Sequence, residues 1–173
     1  RGTAVPRAMQ LVNLDAVRAL HGRELASAVA GQLNAAEKKR RLLPAQREAV
    51  SPSAIARFLE SPLGVRLRSA ETVRREWPFN VLLRADEALT AEEAGRYGTE
   101  EILVQGTIDC CFLEDGKWVL LDYKTDRADD PDALREHYRK QLNVYALALE
   151  RITGVSVAER YLCLLSKGLA LEV

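Results

Sequence analysis

Asp109, Asp122 and Lys124 are the residues whose types and spacing point to chemistry. They lie in the stretch GTIDCCFLEDGKWVLLDYKTD, Gly106 to Asp126, where two apolar runs flank Asp115-Gly116. An Asp-Gly pair between strand-like runs is among the strongest signals for a two-residue hairpin turn. A turn there pairs Glu114 with Lys117, Leu113 with Trp118 and Cys111 with Leu120, and it puts Asp109 directly opposite Asp122. Opposed side chains in a sheet have Cβ atoms about 5 Å apart, and like charges at that separation repel. A divalent cation relieves the repulsion, and a pair of hard oxygen ligands suits Mg²⁺. Lys124 follows Asp122 by two residues and projects to the same side of its strand. An ammonium there can hold a water or meet negative charge developing on a phosphate. The competing reading is a structural ion-pair cluster at a sheet end, since carboxylate-lysine pairs are common. The three residues by themselves leave both readings open.

The elements that must position these groups follow from periodicity. Strand alternation puts Asp109, Cys111, Leu113, Trp118, Leu120, Asp122 and Lys124 on one face and Ile108, Cys110, Phe112, Val119, Leu121 and Tyr123 on the other. Both faces are largely apolar, which predicts helices covering both. Asp130-Pro131 reads as a helix cap followed by proline in the first turn. Leu134, Tyr138, Leu142, Leu149 and Ile152 then recur at helical spacing up to Gly154. Gln141 and Tyr145, four apart on that helix, add polar groups to the stripe.

Upstream, Thr3 is a candidate cap for a helix through AVPRAMQLV, and DAVRALHGRELASAVAGQL continues the helical pattern. EKKRRLLPAQREAVSP reads as a charged connector broken by Pro44 and Pro52, with Ser53 capping a short helix SAIARFLESPL. The basic run Lys38 to Arg41 is assigned no site role; it reads as a solvated helix end. The sheet starts near Val73 with VRREWPFNVLL, DEALTAEEAGRYGTEE reads as a loop or edge excursion, and VAERYLCLLSKG supplies a closing strand. The class is mixed α/β: a central mixed sheet flanked by helices.

Asp109, then Asp122-Tyr123-Lys124, then Gln141 and Tyr145 resemble the PD-(D/E)xK nucleases of the RecB-like type, with their restriction-endonuclease-like core. The segments GTAVPRAMQ, FLESPLGVRL, RREWPF, LVQGTIDCCF, WVLLDYKTD and YRKQLNVYALALERITG look like the nuclease domains of AddA-type helicase-nucleases. The resemblance covers almost the whole chain. It implies that Asp109, Asp122 and the backbone carbonyl of Tyr123 bind Mg²⁺, with Mn²⁺ as a substitute, and that Lys124 orients the attacking water. It implies that Gln141 and Tyr145 position DNA or supporting groups, with Glu76 of RREWPF in a secondary acidic position. The implied substrate is single-stranded DNA, cut during helicase-coupled processing of double-strand breaks. The implied partners are a helicase region of the same polypeptide and an AddB-like subunit. One position departs from the pattern: Pro6 stands where the family has a histidine of the metal site. Neither His21 nor His137 replaces it, and both read as surface residues. The departure supports an alternative, a degenerate module that binds DNA or a partner without cutting.

Composition sets the outer limits. The 173 residues are expected to form one nuclease domain, 1–173, cut from a longer helicase-nuclease. Twenty-five basic and twenty-five acidic residues leave no net field for nonspecific nucleic-acid binding, so DNA contacts must be local. No apolar run approaches membrane-spanning length, and the chain reads as a cytoplasmic protein without membrane contact. Cys110, Cys111 and Cys163 read as buried, reduced thiols, one short of a four-thiolate cluster, so no iron–sulfur cluster is expected.

Overall fold

The computed structural model describes residues 4–89, 91–125 and 130–173. The proposed cap Thr3 and the end of the DYKTD motif, Asp126, lie outside the described residues. Among the described residues a helical layer comes first: α1 Ala4–Leu11, α2 Leu14–Val17, α3 Gly22–Lys38, α4 Pro44–Glu48, α5 Pro52–Glu60 and α6 Pro62–Ser69. The sheet follows as β1 Val73–Arg84, β2 Glu101–Glu114, β3 Lys117–Tyr123, β4 Val157–Leu164 and β5 Leu169–Glu172. Two short helices, α7 Ala85–Ala88 and α8 Ala91–Tyr97, separate β1 from β2, and α9 Pro131–Thr153 joins β3 to β4.

Several boundaries move from the expected ones, each for a local reason. The helical pattern beginning at Asp15 is two helices, because the chain turns between Val17 and Gly22, where Gly22 opens α3 from a φ of +52° that side-chain-bearing residues rarely adopt. Ser51, not Ser53, caps α5: its hydroxyl accepts from Ala54 N, and Pro52 fills the first turn, where no N–H is required. That helix ends at Glu60, since Pro62 cannot donate to a continuing ladder, and Ser61 caps α6. A Cβ at Gly64 would lie 1.9 Å from the Phe58 carbonyl oxygen, so a side-chain-free residue is what lets α6 start against α5. The charged connector contains α4, begun by Pro44. The acidic stretch after β1 is helical rather than a loop, with Glu87 accepting from Arg84 N to close the first turn of α7. The closing strand is followed by β5, turned at Gly168 with φ +65°.

The strand order is β1-β2-β3-β4-β5, with β3 and β4 parallel and the other pairs antiparallel. This is the expected mixed sheet. Helices cover both faces: Cys110, Phe112, Val119 and Leu121 pack with the α1–α6 layer, while Cys111, Leu120, Leu162 and Leu164 pack with Leu142 and Leu149 of α9. The adjacent cysteines therefore enter different cores, and all three thiols are free and buried. Ile152, expected in the α9 stripe, is exposed, as are His21 and His137.

Ile108 corrects the simple alternation. It packs on the α9 side with Cys111, not on the helical-layer side with Cys110. The β1–β2 ladder pairs Arg75 with Cys110 and Trp77 with Ile108 but skips Glu76 and Asp109 between them. Glu76 has a φ of +49°, a left-handed conformation that rotates the strand and exchanges its faces. The irregular backbone falls at the proposed site.

Candidate active site

Strand β2 brings Asp109 to the place where its ladders fail on both sides. The hairpin has the predicted register, pairing Glu114 with Lys117, Leu113 with Trp118 and Cys111 with Leu120. The ladder stops at Cys110–Leu121, however, one step before the expected Asp109–Asp122 pair. Instead, Asp109 Oδ2 accepts from the backbone N–H of Tyr123 at 2.8 Å. Two carboxylates forced face to face would repel, and a side-chain bond to the neighbouring amide lets β2 splay away from β3 while satisfying one acid.

Asp122 is held more rigidly. It pairs with Leu162 of β4, and its side chain is 4% exposed. Lys124 stays in line because its N–H donates to the Cys163 carbonyl oxygen at 3.0 Å, extending the β3–β4 pairing past the end of β3. From there Lys124 Nζ reaches Asp122 Oδ2 at 2.8 Å and Gln141 Oε1 at 3.3 Å. Gln141 Nε2 in turn donates to the Tyr145 hydroxyl at 3.0 Å. The groups Asp122, Lys124, Gln141 and Tyr145 thus form one connected polar chain across β3 and α9, on a helix whose cap at Asp130 and left-handed stop at Gly154 match the sequence expectation.

A cavity of about 570 Å³ is lined by Asp109, Asp122, Tyr123, Lys124, Gln141, Tyr145 and Glu76. Every residue nominated from the sequence reaches it. Pro6 lines it too, from α1, which forms with the proline in place. Tyr138, Arg7, Gln46, Thr107 and Thr125 line it as well, none of them nominated from the sequence. The ring of Tyr138, whose centroid is 4.6 Å from Lys124 Nζ, places an aromatic face beside the ammonium. Its signal was present: residues 138, 141 and 145 share one helical face. Arg7 and Gln46 enter from the helical layer, and no local pattern marks them. Gly106, in GTID, leaves room for the rings beside the cavity: a Cβ there would lie 2.8 Å from Phe79 Cζ and 3.4 Å from Tyr145 Cε1. Phe79 and Tyr145 meet edge to face above it.

The electrostatics are unbalanced. Asp109 is pushed up to about 7, first by burial, then by the charge of Asp122 and also that of Glu76; the Tyr123 amide and Lys124 oppose the shift. A carboxyl so raised favours a proton or a cation beside it. The donor chemistry fits a hard divalent ion: two carboxylates and a nearby backbone carbonyl, Tyr123, in a cavity with room for water. Among the described residues no three His, Cys, Asp or Glu side chains converge on one point. That is compatible with Mg²⁺, which is commonly bound through one or two carboxylates and keeps several waters.

The chain is similar to known proteins over most of its length. The chain is 42% identical over 175 residues to an ATP-dependent helicase/nuclease subunit from Heliobacterium modesticaldum, covering 97% of this chain and 12% of that protein. It is 40% identical over 129 residues to the protein of the same name from Acetivibrio thermocellus, covering 73% and 10%, and 34% identical over 166 residues to that of Clostridium botulinum (strain 657 / Type Ba4), covering 96% and 12%. The chain therefore spans about a tenth of the length of these relatives. The family model for the PD-(D/E)XK nuclease superfamily matches residues 1–170, nearly the whole chain. The chain belongs to the PD-(D/E)XK nuclease superfamily.

Proposed function

We propose that this chain is a divalent-metal-dependent nuclease domain that hydrolyses phosphodiester bonds of single-stranded DNA, as part of a longer helicase-nuclease polypeptide. The observation that carries the reading is the shared cavity in which Asp109 and Asp122 leave a carboxyl raised to about 7 beside Lys124. Asp109, Asp122 and the Tyr123 carbonyl would hold Mg²⁺, or Mn²⁺ in its place. When bound, the ion supplies Lewis-acid polarisation of the phosphate and a more acidic water.

The protein's own groups do the rest. Asp122 fixes the Lys124 ammonium by charge, and Gln141 fixes it from the helix. So placed, Lys124 orients the attacking water and meets the negative charge that grows on the non-bridging oxygens as water adds to phosphorus and the bond to the leaving sugar oxygen breaks. Tyr145 orients Gln141, and Glu76 adds negative potential at the same cavity. The reading assigns no iron–sulfur cluster to this chain, whose thiols are divided between two cores. It places the domain in the cytoplasm, with an AddB-like protein for its partner in processing double-strand breaks. Among the described residues no helix is long and apolar enough to cross a membrane.

Pro6 gives a second reading a specific footing. It lines the cavity without a side-chain ligand atom, so a module that binds DNA or a partner without cutting is the alternative. Incubation of the chain with end-labelled single-stranded DNA separates the two. Cutting in Mg²⁺ or Mn²⁺ that stops in EDTA, and that Asp109→Ala abolishes while DNA binding persists, is expected. Binding without cutting at any divalent concentration selects the alternative, and full-rate cutting in excess EDTA overturns the metal mechanism.

A further inference from the structure

A second cavity of about 830 Å³ adjoins the first, sharing Gln46, Lys124 and Thr125 with it. We infer that this chamber receives the unpaired base of a nucleotide flanking the scissile phosphate, and that it selects single-stranded over duplex DNA. The inference rests on the nuclease reading and adds a binding site to it.

The chamber's chemistry suits a base better than a backbone. Its floor is aliphatic, made by Val5 of α1, Ala54 and Ile55 of α5, Val50 before that helix, and Leu165 after β4. Among the described residues that line it, Lys124 is the one cation and Glu48 the one acid. A run of phosphates requires several cations, and that lining does not provide them. A nucleobase has two apolar faces and a polar edge. The floor can take the faces, while Gln46, Ser51, Thr125 and Ser166 can reach the edge. The size agrees, since small-ligand clefts run to roughly 300–1,000 Å³.

Position supplies the selectivity. The chamber and the carboxylate cavity meet at Lys124, so a phosphate held beside that ammonium, at the ion that Asp109 and Asp122 would bind, brings the adjoining nucleoside to the chamber mouth. A base inside a duplex is stacked and has its edge occupied by the opposite strand, and it must leave the helix to enter such a site. A single strand offers its bases without that cost. The α4 segment, a connector by its sequence pattern, thereby becomes a wall of the substrate site through Ala45, Gln46 and Ala49.

The test isolates the base from the backbone. Binding of fluorescein-labelled oligo(dT) and of an abasic oligomer of equal length is measured by anisotropy in Ca²⁺, and cutting of both is measured in Mg²⁺. The intact chain should bind oligo(dT) about 10-fold more tightly than the abasic strand, in keeping with the worth of one bound base. Ala49→Trp fills the chamber from an exposed position and should reduce the two affinities to the same, abasic level. Ala45→Trp, on the same wall, serves where a melting curve shows the first variant misfolded. Equal binding of both strands by the unaltered chain, or undiminished discrimination in the folded tryptophan variant, overturns the inference. Base preference without cutting would sink the nuclease reading and keep only the base site, as that of a DNA-binding module, whereas equal cutting and binding of both strands would sink the base site and keep the nuclease reading.

Discussion

The two ends of the β2–β3 hairpin hold the same ingredients in opposite electrostatic states. At the turn end, Arg66 of α6 lies between Glu114 and Glu159. Its Nε is 3.0 Å from Glu114 Oε2, and two guanidinium nitrogens each reach a Glu159 oxygen at 2.9 Å. Glu159 is held below the usual carboxylate range, first by the Arg66 hydrogen bond and then by the Tyr161 hydroxyl. At the open end, Lys124 also accompanies two carboxyls, yet Asp109 is raised to about 7. A planar guanidinium can serve two acids with paired hydrogen bonds, whereas an ammonium bound to Asp122 and Gln141 leaves the second acid short of a cation. Burial widens the difference, because Arg66 and Glu159 are each about a third exposed while Asp122 is 4% exposed. The balanced cluster ties α6 to the sheet. The unbalanced one is poised for an ion it does not itself supply.

Exchange of charges at the two ends should give the largest contrast. Lys124→Ala or Asp122→Ala is expected to lower the rate of single-strand cutting by about 10²- to 10³-fold, since the first removes the ammonium that meets charge at the reacting phosphate and the second removes both an acid proposed to hold the ion and the partner that fixes that ammonium. Arg66→Met at the turn end should leave that rate within about twofold. Equal losses at both ends would show that the open end matters only for folding. Next in size, Pro6→His should tighten Mn²⁺ binding about 10- to 100-fold by calorimetric titration, as expected for a well-placed supporting group at the cavity. Equal affinity in the two proteins would mean that this position does not serve the ion.

A smaller effect concerns the ring beside the lysine. Tyr138→Leu should slow cutting by about 2- to 5-fold through loss of the cation–π contact, while Tyr138→Phe retains the rate. A rate lost in the phenylalanine variant would assign the role to the hydroxyl instead.

The pH dependence of stability sharpens the comparison further. Because the folded-state affinity of Asp109 for a proton is raised, its protonated form contributes stability that is fully present below the ordinary carboxyl range and fades as pH rises through about 7. In metal-free buffer, Asp109→Asn should melt about 5 °C above the unaltered protein at pH 8 and level with it near pH 4. Saturating Mn²⁺ should close the gap at pH 8. A variant that melts lower at every pH would make Asp109 a structural residue.

Much of this arrangement was legible in advance because it depends on short-range rules. Asp115-Gly116 fixed the hairpin register down to Cys111–Leu120, and Asp130 and Gly154 delimited the helix carrying Gln141 and Tyr145. The register failed only at its last step, where repulsion between Asp109 and Asp122 competes with ladder bonding, and alternation failed at Ile108, beside the left-handed Glu76. Neither failure lies in any propensity: one is a balance between two strands, the other a backbone state that a glutamate rarely adopts. Helix starts were misplaced where proline and serine compete, at Ser51 and Ser53.

What the sequence determined by itself was therefore the class of fold and the hairpin with its register down to Cys111–Leu120, because turn chemistry and periodicity act over a few residues; it also nominated Asp109, Asp122, Lys124, Gln141 and Tyr145, which the structure brings to one cavity. Only the tertiary structure decided that Tyr138 faces the lysine, that Arg7 and Gln46 close the cavity from the helical layer, and that Asp109 is left uncompensated while Glu159 is not. Those outcomes depend on burial and on distances between segments far apart in the chain, where Coulomb energy varies with the surrounding medium as much as with the residues themselves.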